Sequence, residues 1–186
     1  MDLKQAIRAR HAVRSYSRQI VSEQEIHRLL EAAVRAPNSR NEQPWSFAIV
    51  QNRDLLQRYS DQAKALLRAE SNTESPASRA LLHSQRFDVF YGAGTLIVIC
   101  GRIDDEHAEA DCWLAAENLM LTACDLGLGT CPVASAVAIL NSAPVKAELT
   151  IPRDVAAIAP IVVGYSDEPA SFPTPRAAPR ILSFRR

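Results

Sequence analysis

The stretch LLEAAVRAPNSRNEQPW, residues 29–45, joins the end of a predicted helix to a polar loop and then to a strand. Ser22 followed by Glu25 is a capping box, which is typical of a helix N-terminus. Apolar residues then recur at the spacing of one helix face, at Ile26, Leu29, Leu30, Ala33 and Val34. The helix is expected to end before Pro37, because the residue before a proline disfavours the helical conformation. The prolines and asparagines of residues 37–44 predict a loop, and residues 45–50 a strand.

The rest of the chain also divides into helices and strands. Helices are predicted over residues 2–9, 53–69, 78–88, 108–126 and 142–149, and strands over residues 95–100, 131–133 and 155–165. The helix over residues 108–126 is apolar nearly all round, and its main polar interruptions are Asp111, Glu117, Asn118 and Asp125. A helix without a polar face needs cover on every side, which a small domain rarely supplies, so we expect a homodimer that buries it.

The composition bounds the organisation of the chain. At 186 residues, with 47% hydrophobic and 23% charged residues, the sequence predicts a single globular domain over residues 1–186. Residues 166–186 are rich in proline and are expected to form an extended C-terminal arm. The cysteines lie in apolar surroundings without a CxxC pair, so we expect no metal site and a reducing, cytoplasmic compartment.

Charge and hydropathy argue against two classes of partner. Lys plus Arg equal Asp plus Glu at 21 each, so a net charge of zero gives no general attraction to nucleic acid. Aromatic residues make up 6% of the chain and do not alternate with the arginines, as a base-stacking surface would require. The apolar stretches are well short of the roughly 20 residues that a membrane span needs. We therefore expect no nucleic-acid partner and no membrane partner.

Basic residues concentrate near the two ends of the chain. The first group is Arg8, Arg10, His11 and Arg14, and the second is Arg176, Arg180, Arg185 and Arg186. Several guanidinium groups can together bind a phosphate dianion, because each offers a planar set of donors. The same residues would serve equally well as solvated charge or at the C-terminus of the first helix. Charge alone leaves both interpretations open.

The loop over residues 37–44 concentrates amide and hydroxyl side chains, at Asn38, Ser39, Asn41 and Gln43. These groups donate and accept hydrogen bonds, as the edge of a planar heterocycle requires, although a connecting turn has the same composition. Familiar nucleotide loops do not fit elsewhere. GAGTLI, residues 92–97, lacks the third glycine of a dinucleotide fingerprint, and GLGTCP, residues 127–132, follows a helix instead of a strand. The chain also has no P-loop motif.

Four motifs stand in order along the chain: RARHAVRSYS at residues 8–17, LLEAAVRAPNSRNEQPW at 29–45, LGLGTCPV at 126–133 and APRILSF at 178–184. Their order and spacing resemble those of the FMN-dependent nitroreductase family. The resemblance covers nearly the whole chain. It implies an α+β fold with a central mixed β-sheet flanked by helices. It also implies an intertwined homodimer with two FMN molecules in its interface.

The same resemblance implies the cofactor-binding residues. Arg10, His11 and Ala12 would contact the FMN phosphate and ribityl chain, with Arg14 close behind, and Arg176 or Arg180 would complete the phosphate site. The ring and ribityl chain would be lined by the loop, through Pro37, Asn38, Ser39, Asn41 and Gln43. One ring face would be covered by Pro132, Val133 and Ala134, whose backbone groups would reach N5 or O4. Ala12 stands where the family usually has serine, so a hydroxyl contact of about 1 kcal/mol is missing.

A reaction is implied as well. NADPH or NADH would pass hydride to flavin N5 and leave, and a nitroaromatic, quinone or enone-like acceptor would follow in a ping-pong cycle. The sequence singles out no catalytic acid or base. Residues 60–90 are expected to form a cap that sets substrate choice. Two alternatives stay open, namely an FMN enzyme of this fold that performs dehalogenation or flavin degradation, and a flavin-binding module without turnover.

Overall fold

The fold is an α+β arrangement in which helices cover both faces of one sheet. The computed structural model describes residues 1–70, 80, 82–84, 86–167 and 175–185. The helices are α1 (Leu3–Ala9), α2 (Glu23–Ala33), α3 (Arg53–Glu70), α4 (Ala108–Asp125), α5 (Val137–Leu140) and α6 (Ala143–Glu148). The strands are β1 (Ser46–Val50), β2 (Thr95–Arg102), β3 (Gly129–Pro132) and β4 (Val155–Gly164). Short 3-10 turns occupy Ser39–Asn41 and Ala134–Ala136.

Capping boxes set the starts of α1 and α2. The predicted box at Ser22 and Glu25 is confirmed, since each side chain bonds the backbone N–H of the other residue. Asp2 and Gln5 form the equivalent box at α1. Glu25 also accepts a hydrogen bond of 2.7 Å from the Tyr165 hydroxyl, which is the main cause that lowers the pKa of Glu25. This bond connects the start of α2 to the residue that follows β4.

The sheet has the strand order β1-β2-β4-β3, and all three pairings are antiparallel. The prediction of a mixed sheet therefore needs correction, while that of a central sheet flanked by helices is confirmed. β2 and β3 do run in the same direction, as the intervening α4 allows, but β4 lies between them. The parallel pairing found in the described residues is an isolated bridge between Ala12 and Thr130.

Side chains of the central strands alternate between two cores, one on each face of the sheet. On the first face, Ile97, Ile99 and Ile161 pack with Leu29 of α2 and Leu119 of α4. The second face packs against α3 and α5 through Leu96, Val98, Val162, Leu56 and Leu140. The near-continuous apolar sequences of β2 and β4 follow from burial on both faces.

Helix α4 lies against α2 and the sheet, and eight of its residues are buried. Leu114, near its middle, is 45% exposed in the single chain. Trp113, beside it in sequence, is half-buried. None of the helices in the described part of the chain has the length and apolar character that crossing a membrane demands.

The predicted helix over residues 142–149 is confirmed as α6, whose capping residues are Ser142 and Leu149, and α5 precedes it as a separate short helix. The predicted helix over residues 78–88 lies partly outside the described residues, and its last part is wrong. The Asp88 side chain accepts from the N–H groups of Phe90 and Gly92, which favours a turn over a helix. The predicted cap over residues 60–90 also includes residues that are not described.

Burial suppresses the reactivity of two cysteines. It raises the pKa of Cys100 to about 11 and that of Cys112 to about 12, so both thiols stay protonated at neutral pH. Cys131 is buried too, and Cys124 is half-buried, with no disulfide among the four. Three of the four residues are therefore small core side chains, as their apolar surroundings predict.

Candidate functional site

The first arginine group continues into a segment that runs alongside strand β3. Ala12 bridges Thr130, and the Val13 N–H donates to the Thr130 carbonyl at 3.0 Å. The absence of a side chain at Gly129 permits this approach, because a Cβ there would lie 2.7 Å from Val13 Cγ2. Residues 10–12 are consequently placed beside the strand that leads to Pro132.

Tyr16 fixes the other end of this segment. Its hydroxyl donates to the Val13 carbonyl at 2.8 Å, and its ring lies over Gly164, where an added Cβ would be 3.0 Å from Tyr16 Cδ1. The Ser17 N–H donates to the Tyr165 carbonyl at 2.9 Å. The segment is therefore pinned to the edge strand β3 and to the end of β4.

Arg10 ends helix α1, where its N–H donates to the Ala6 carbonyl. Its Nε lies 3.6 Å from Oε1 of Glu117 on α4, and its side chain is 21% exposed. The terminal guanidinium nitrogens of Arg10 make no hydrogen bond within the described ranges, and so they are available to a ligand. Nδ1 of the neighbouring His11 is 2.9 Å from the Ala9 carbonyl, while Arg14 is exposed.

The predicted polar loop has a strained backbone. Arg40, Asn41 and Gln43 adopt left-handed φ values of 51°, 56° and 50°. This conformation costs a residue other than glycine about 1–2 kcal/mol. Inside the loop, Oδ1 of Asn38 accepts from the Gln43 N–H at 2.8 Å. Strain of this kind persists only where surrounding contacts impose it, and it is concentrated at functional sites.

The loop is held from outside by Asp111, in the first turn of α4. Asp111 is only 5% exposed, and its Oδ2 accepts from the Ser39 N–H at 3.0 Å. Asn118, two turns further along the same face, donates to the Ala32 carbonyl at 3.1 Å, near the end of α2. Both side chains thus bind the connection between α2 and the loop.

The four polar interruptions of the apolar helix α4 each contact another element. Asp111 and Asn118 bind the loop and α2, Glu117 pairs with Arg10, and Asp125 contacts the amino group of Met1. The sequence shows these residues as polar interruptions but does not identify their partners. Because a buried polar residue in an apolar helix requires a partner, the interruptions themselves indicated that contacts to other elements exist.

Within the loop, the side chains of Ser39, Asn41 and Gln43 make no hydrogen bond to another described residue. Ser39 is half-buried, and the other two are exposed. Asn38 instead uses its side chain to organise the loop, and Pro37 is exposed. Of the four polar residues predicted in this loop, Asn38 therefore shapes the loop. Ser39, Asn41 and Gln43 keep side-chain donors and acceptors that no described residue uses.

One backbone donor of the predicted group at the end of β3 is already bonded. The Val133 side chain is 3% exposed and belongs to the core, and its N–H donates to the Pro160 carbonyl at 2.9 Å. Its amide is therefore committed to the sheet edge and is not free to bind a ring. Pro132 is half-buried and Ala134 is exposed, so these two remain accessible.

Within the described residues, no hydrogen bond or ion pair joins Arg176 or Arg180 to the first arginine group. Residues 175–185 contain no helix or strand, and all of them are exposed. Of the residues that the resemblance implies at the phosphate, the structure of one chain therefore shows only Arg10 and its neighbours together among the described residues.

Comparison with known proteins shows to which family the chain belongs. The family model described as "Nitroreductase family" matches residues 7–165, from α1 to the residue after β4. The chain belongs to the nitroreductase family. The match includes the segment beside β3, the strained loop and β3 itself, so the family suggested by the sequence motifs is confirmed.

Nitroreductase-family relatives cover most of the chain. A protein of Archaeoglobus fulgidus with the provisional name NADH dehydrogenase/NAD(P)H nitroreductase is 26% identical over 171 residues, 89% of this chain and 86% of its own. The 4-nitrobenzoate reductase of Nocardioides sp. strain LMS-CY is 28% identical and covers 87% of this chain and 79% of its own. A Bacteroides fragilis nitroreductase structure with bound FMN covers both chains fully, with TM-score 0.85 and 24% identity.

Proposed function

We propose that this protein is an FMN-dependent oxidoreductase that uses NADPH or NADH to reduce nitroaromatic, quinone or enone-like acceptors. The proposal rests mainly on Arg10 and the strained loop, both anchored on α4 in a nitroreductase-family fold. Their anchors, Glu117 and Asp111, are six residues apart, which corresponds to about 9 Å along the helix axis. The names of the Archaeoglobus and Nocardioides relatives support this class of reductant and acceptor.

The residues present suit FMN chemically. Arg10 offers terminal guanidinium donors to a phosphate, and its pairing with Glu117 fixes the side chain through Nε. The unpaired side chains of Ser39, Asn41 and Gln43 match a ring edge that carries alternating donors and acceptors. The chemistry that bound FMN would supply is two-electron transfer between a reduced nicotinamide and an acceptor. The chain's own part is to bind and orient the stacked partners.

Spectroscopy and steady-state kinetics test this function. Purified protein supplied with FMN should retain the yellow flavin through gel filtration and then oxidise NADPH or NADH when a quinone or nitroarene is added. Double-reciprocal plots at several acceptor concentrations should be parallel, as for a ping-pong cycle. Retention of FMN without turnover on any acceptor would indicate a passive flavin-binding module. Failure to take up FMN would refute the proposed cofactor and reaction together.

We further propose that the active form is a homodimer in which the C-terminal arm lies on the partner. Leu114 is 45% exposed on α4, and Ile181, Leu182 and Phe184 of the arm are 71%, 85% and 74% exposed. Apolar surface of this extent favours cover by a second copy. An arm that crosses to the partner would allow Arg176 or Arg180 to reach the partner's phosphate site.

Sedimentation velocity tests the dimer. The wild-type protein should sediment as two 20.4-kDa chains. Leu114→Asp should shift the population toward the monomer, because it places a charge in the proposed interface. Leu66→Asp is the matched control, since Leu66 is 37% exposed but lies on α3, across the sheet from α4. A monomeric wild-type protein with full FMN occupancy would contradict this part of the proposal.

A further inference from the structure

Asp111 is a buried acid whose side chain accepts one hydrogen bond from the described residues, and the donor belongs to the candidate site. It is 5% exposed, and no Lys, Arg or His of the described chain forms an ion pair with it. Its Oδ2 instead accepts the backbone N–H of Ser39 at 3.0 Å, across 72 positions of sequence. A buried acid without a cation is costly, and so this single backbone contact calls for an explanation.

The loop that Asp111 holds contains three left-handed residues. Arg40, Asn41 and Gln43 directly follow Ser39 or lie within four residues of it, and none of them is glycine. The other hydrogen bonds of the loop are internal or short-range: the Asn38 side chain accepts from Gln43 and donates to Ala36, and loop N–H groups donate to neighbouring carbonyls. Within the described ranges, the bond from Asp111 is the one hydrogen bond that fixes the loop to a distant element.

We propose that Asp111 is a positioning residue that holds the loop in the conformation that binds the flavin. The inference rests on the proposed function, since the loop that Asp111 holds is the one proposed to contact the flavin ring. Asp111 does not itself contact the ring. It anchors Ser39, and the strained residues that follow then keep the Asn41 and Gln43 amides free for the ligand.

A purely structural role has to be separated from this one. Asp111 and Glu109 both lie in the first turn of α4, where an acidic side chain stabilises the helix. Glu109 is exposed and makes no hydrogen bond with a described residue through its side chain. Glu109→Ala is therefore the matched control, because it removes the same helix interaction and leaves the loop anchor intact.

The first experiment measures hydrogen exchange at the Ser39 amide and FMN affinity in the full-length protein. Asp111→Ala should speed exchange at Ser39 by about tenfold and weaken FMN binding by about five- to tenfold. Asp111→Asn retains an oxygen acceptor and should restore FMN affinity to within about threefold of wild type. Glu109→Ala should change neither quantity. A helix role alone would instead predict similar effects for Asp111→Ala and Glu109→Ala.

A second pair of variants tests the hydrogen bond between Asp111 and the Ser39 N–H from the donor side. This pair is informative even if Asp111→Ala does not fold. Ser39→Pro removes the N–H, whereas Ser39→Ala removes the hydroxyl and keeps the N–H. The preceding Asn38 has an extended backbone, with φ of −151° and ψ of 158°, which suits a residue before proline. Ser39→Pro should bind FMN about five- to tenfold more weakly than Ser39→Ala.

The outcomes distinguish the two proposals. Faster exchange at Ser39 with unchanged FMN affinity would overturn the positioning role and leave the proposed function standing. Equal FMN affinities of the Pro and Ala variants at Ser39 would overturn it too. A wild-type protein that binds no FMN would refute the proposed function itself, and the positioning role would fail with it.

Discussion

Replacing Arg10 with alanine is expected to weaken FMN binding by roughly 10- to 150-fold, because a hydrogen bond to a charged group contributes about 1.5–3 kcal/mol. Arg10 is the basic residue of the first group that is both fixed by an acid on α4 and left with uncommitted terminal nitrogens. The phosphate would lose a donor that is already oriented. Fluorescence titration of apoprotein with FMN measures the change, and the affinity for riboflavin, which lacks the phosphate, should change little.

Arg8→Ala is the control for this experiment. Arg8 lies in the last turn of the same helix, carries the same charge and is exposed. Removing it subtracts the same net charge and alters α1 in a similar way. Equal losses of FMN affinity in the two variants would contradict a specific phosphate contact at Arg10, and would indicate only a general attraction between a basic surface and an anion.

Replacing Gly129 with alanine is expected to destabilise the fold by about 1–3 kcal/mol and to weaken FMN binding at the same time. The added Cβ would lie 2.7 Å from Val13 Cγ2 and 2.9 Å from Val13 Cβ, and the second of these atoms cannot move without the backbone. Val13 is buried and bonded to Thr130, so the segment that carries Arg10 and His11 would have to shift. Urea unfolding and FMN titration measure the two effects.

Gly94→Ala is the matched control for Gly129→Ala. A Cβ at Gly94 would lie 3.0 Å from Nη2 of Arg53, which is the end of a flexible, exposed side chain. The guanidinium donates to the Ser17 and Gly92 carbonyls and would have to shift by a few tenths of an ångström. Gly94→Ala should therefore destabilise the fold by less than Gly129→Ala does, and FMN affinity should stay near that of wild type. If Gly129→Ala were as stable as Gly94→Ala, the close contact between Val13 and β3 would not be an essential part of the site.

Features that depend on neighbours in sequence were predictable. The start of α2 follows from Ser22 and Glu25, which are three residues apart, and the loop follows from its prolines. Local chemistry also explains one wrong prediction. Among the described residues the helix has ended by Ser84, whose side chain accepts from the Arg86 N–H, and Asp88 then bonds the N–H groups of the next turn. Hydrophobic periodicity alone does not reveal such competition from side chains.

Features that depend on strand order and distant contacts were not predictable from one sequence. The motif resemblance implied a mixed sheet, whereas β4 separates the two strands that run in the same direction. Backbone groups of residues 132–134 were expected to reach the ligand, and the sequence did not reveal that one of them, the Val133 N–H, bonds Pro160 at the sheet edge. The polar residues of α4 were visible, yet the partner of Asp111 is 72 positions away, and periodicity carries no information about such a pairing.

The strained loop sets a limit on how far this protein can be made more stable by design. Glycine would adopt the left-handed backbone of Arg40, Asn41 or Gln43 without the steric cost that their side chains incur. Glycine at position 41 or 43 would also remove a side-chain amide that is proposed to bind the flavin. At these two positions a gain in stability would therefore weaken cofactor binding. At position 40 no such conflict exists, because the exposed Arg40 pairs with Glu42 at 4.0 Å and with no other residue that the structure describes. Arg40→Gly is therefore the substitution in this loop that would relieve backbone strain without removing a proposed flavin contact.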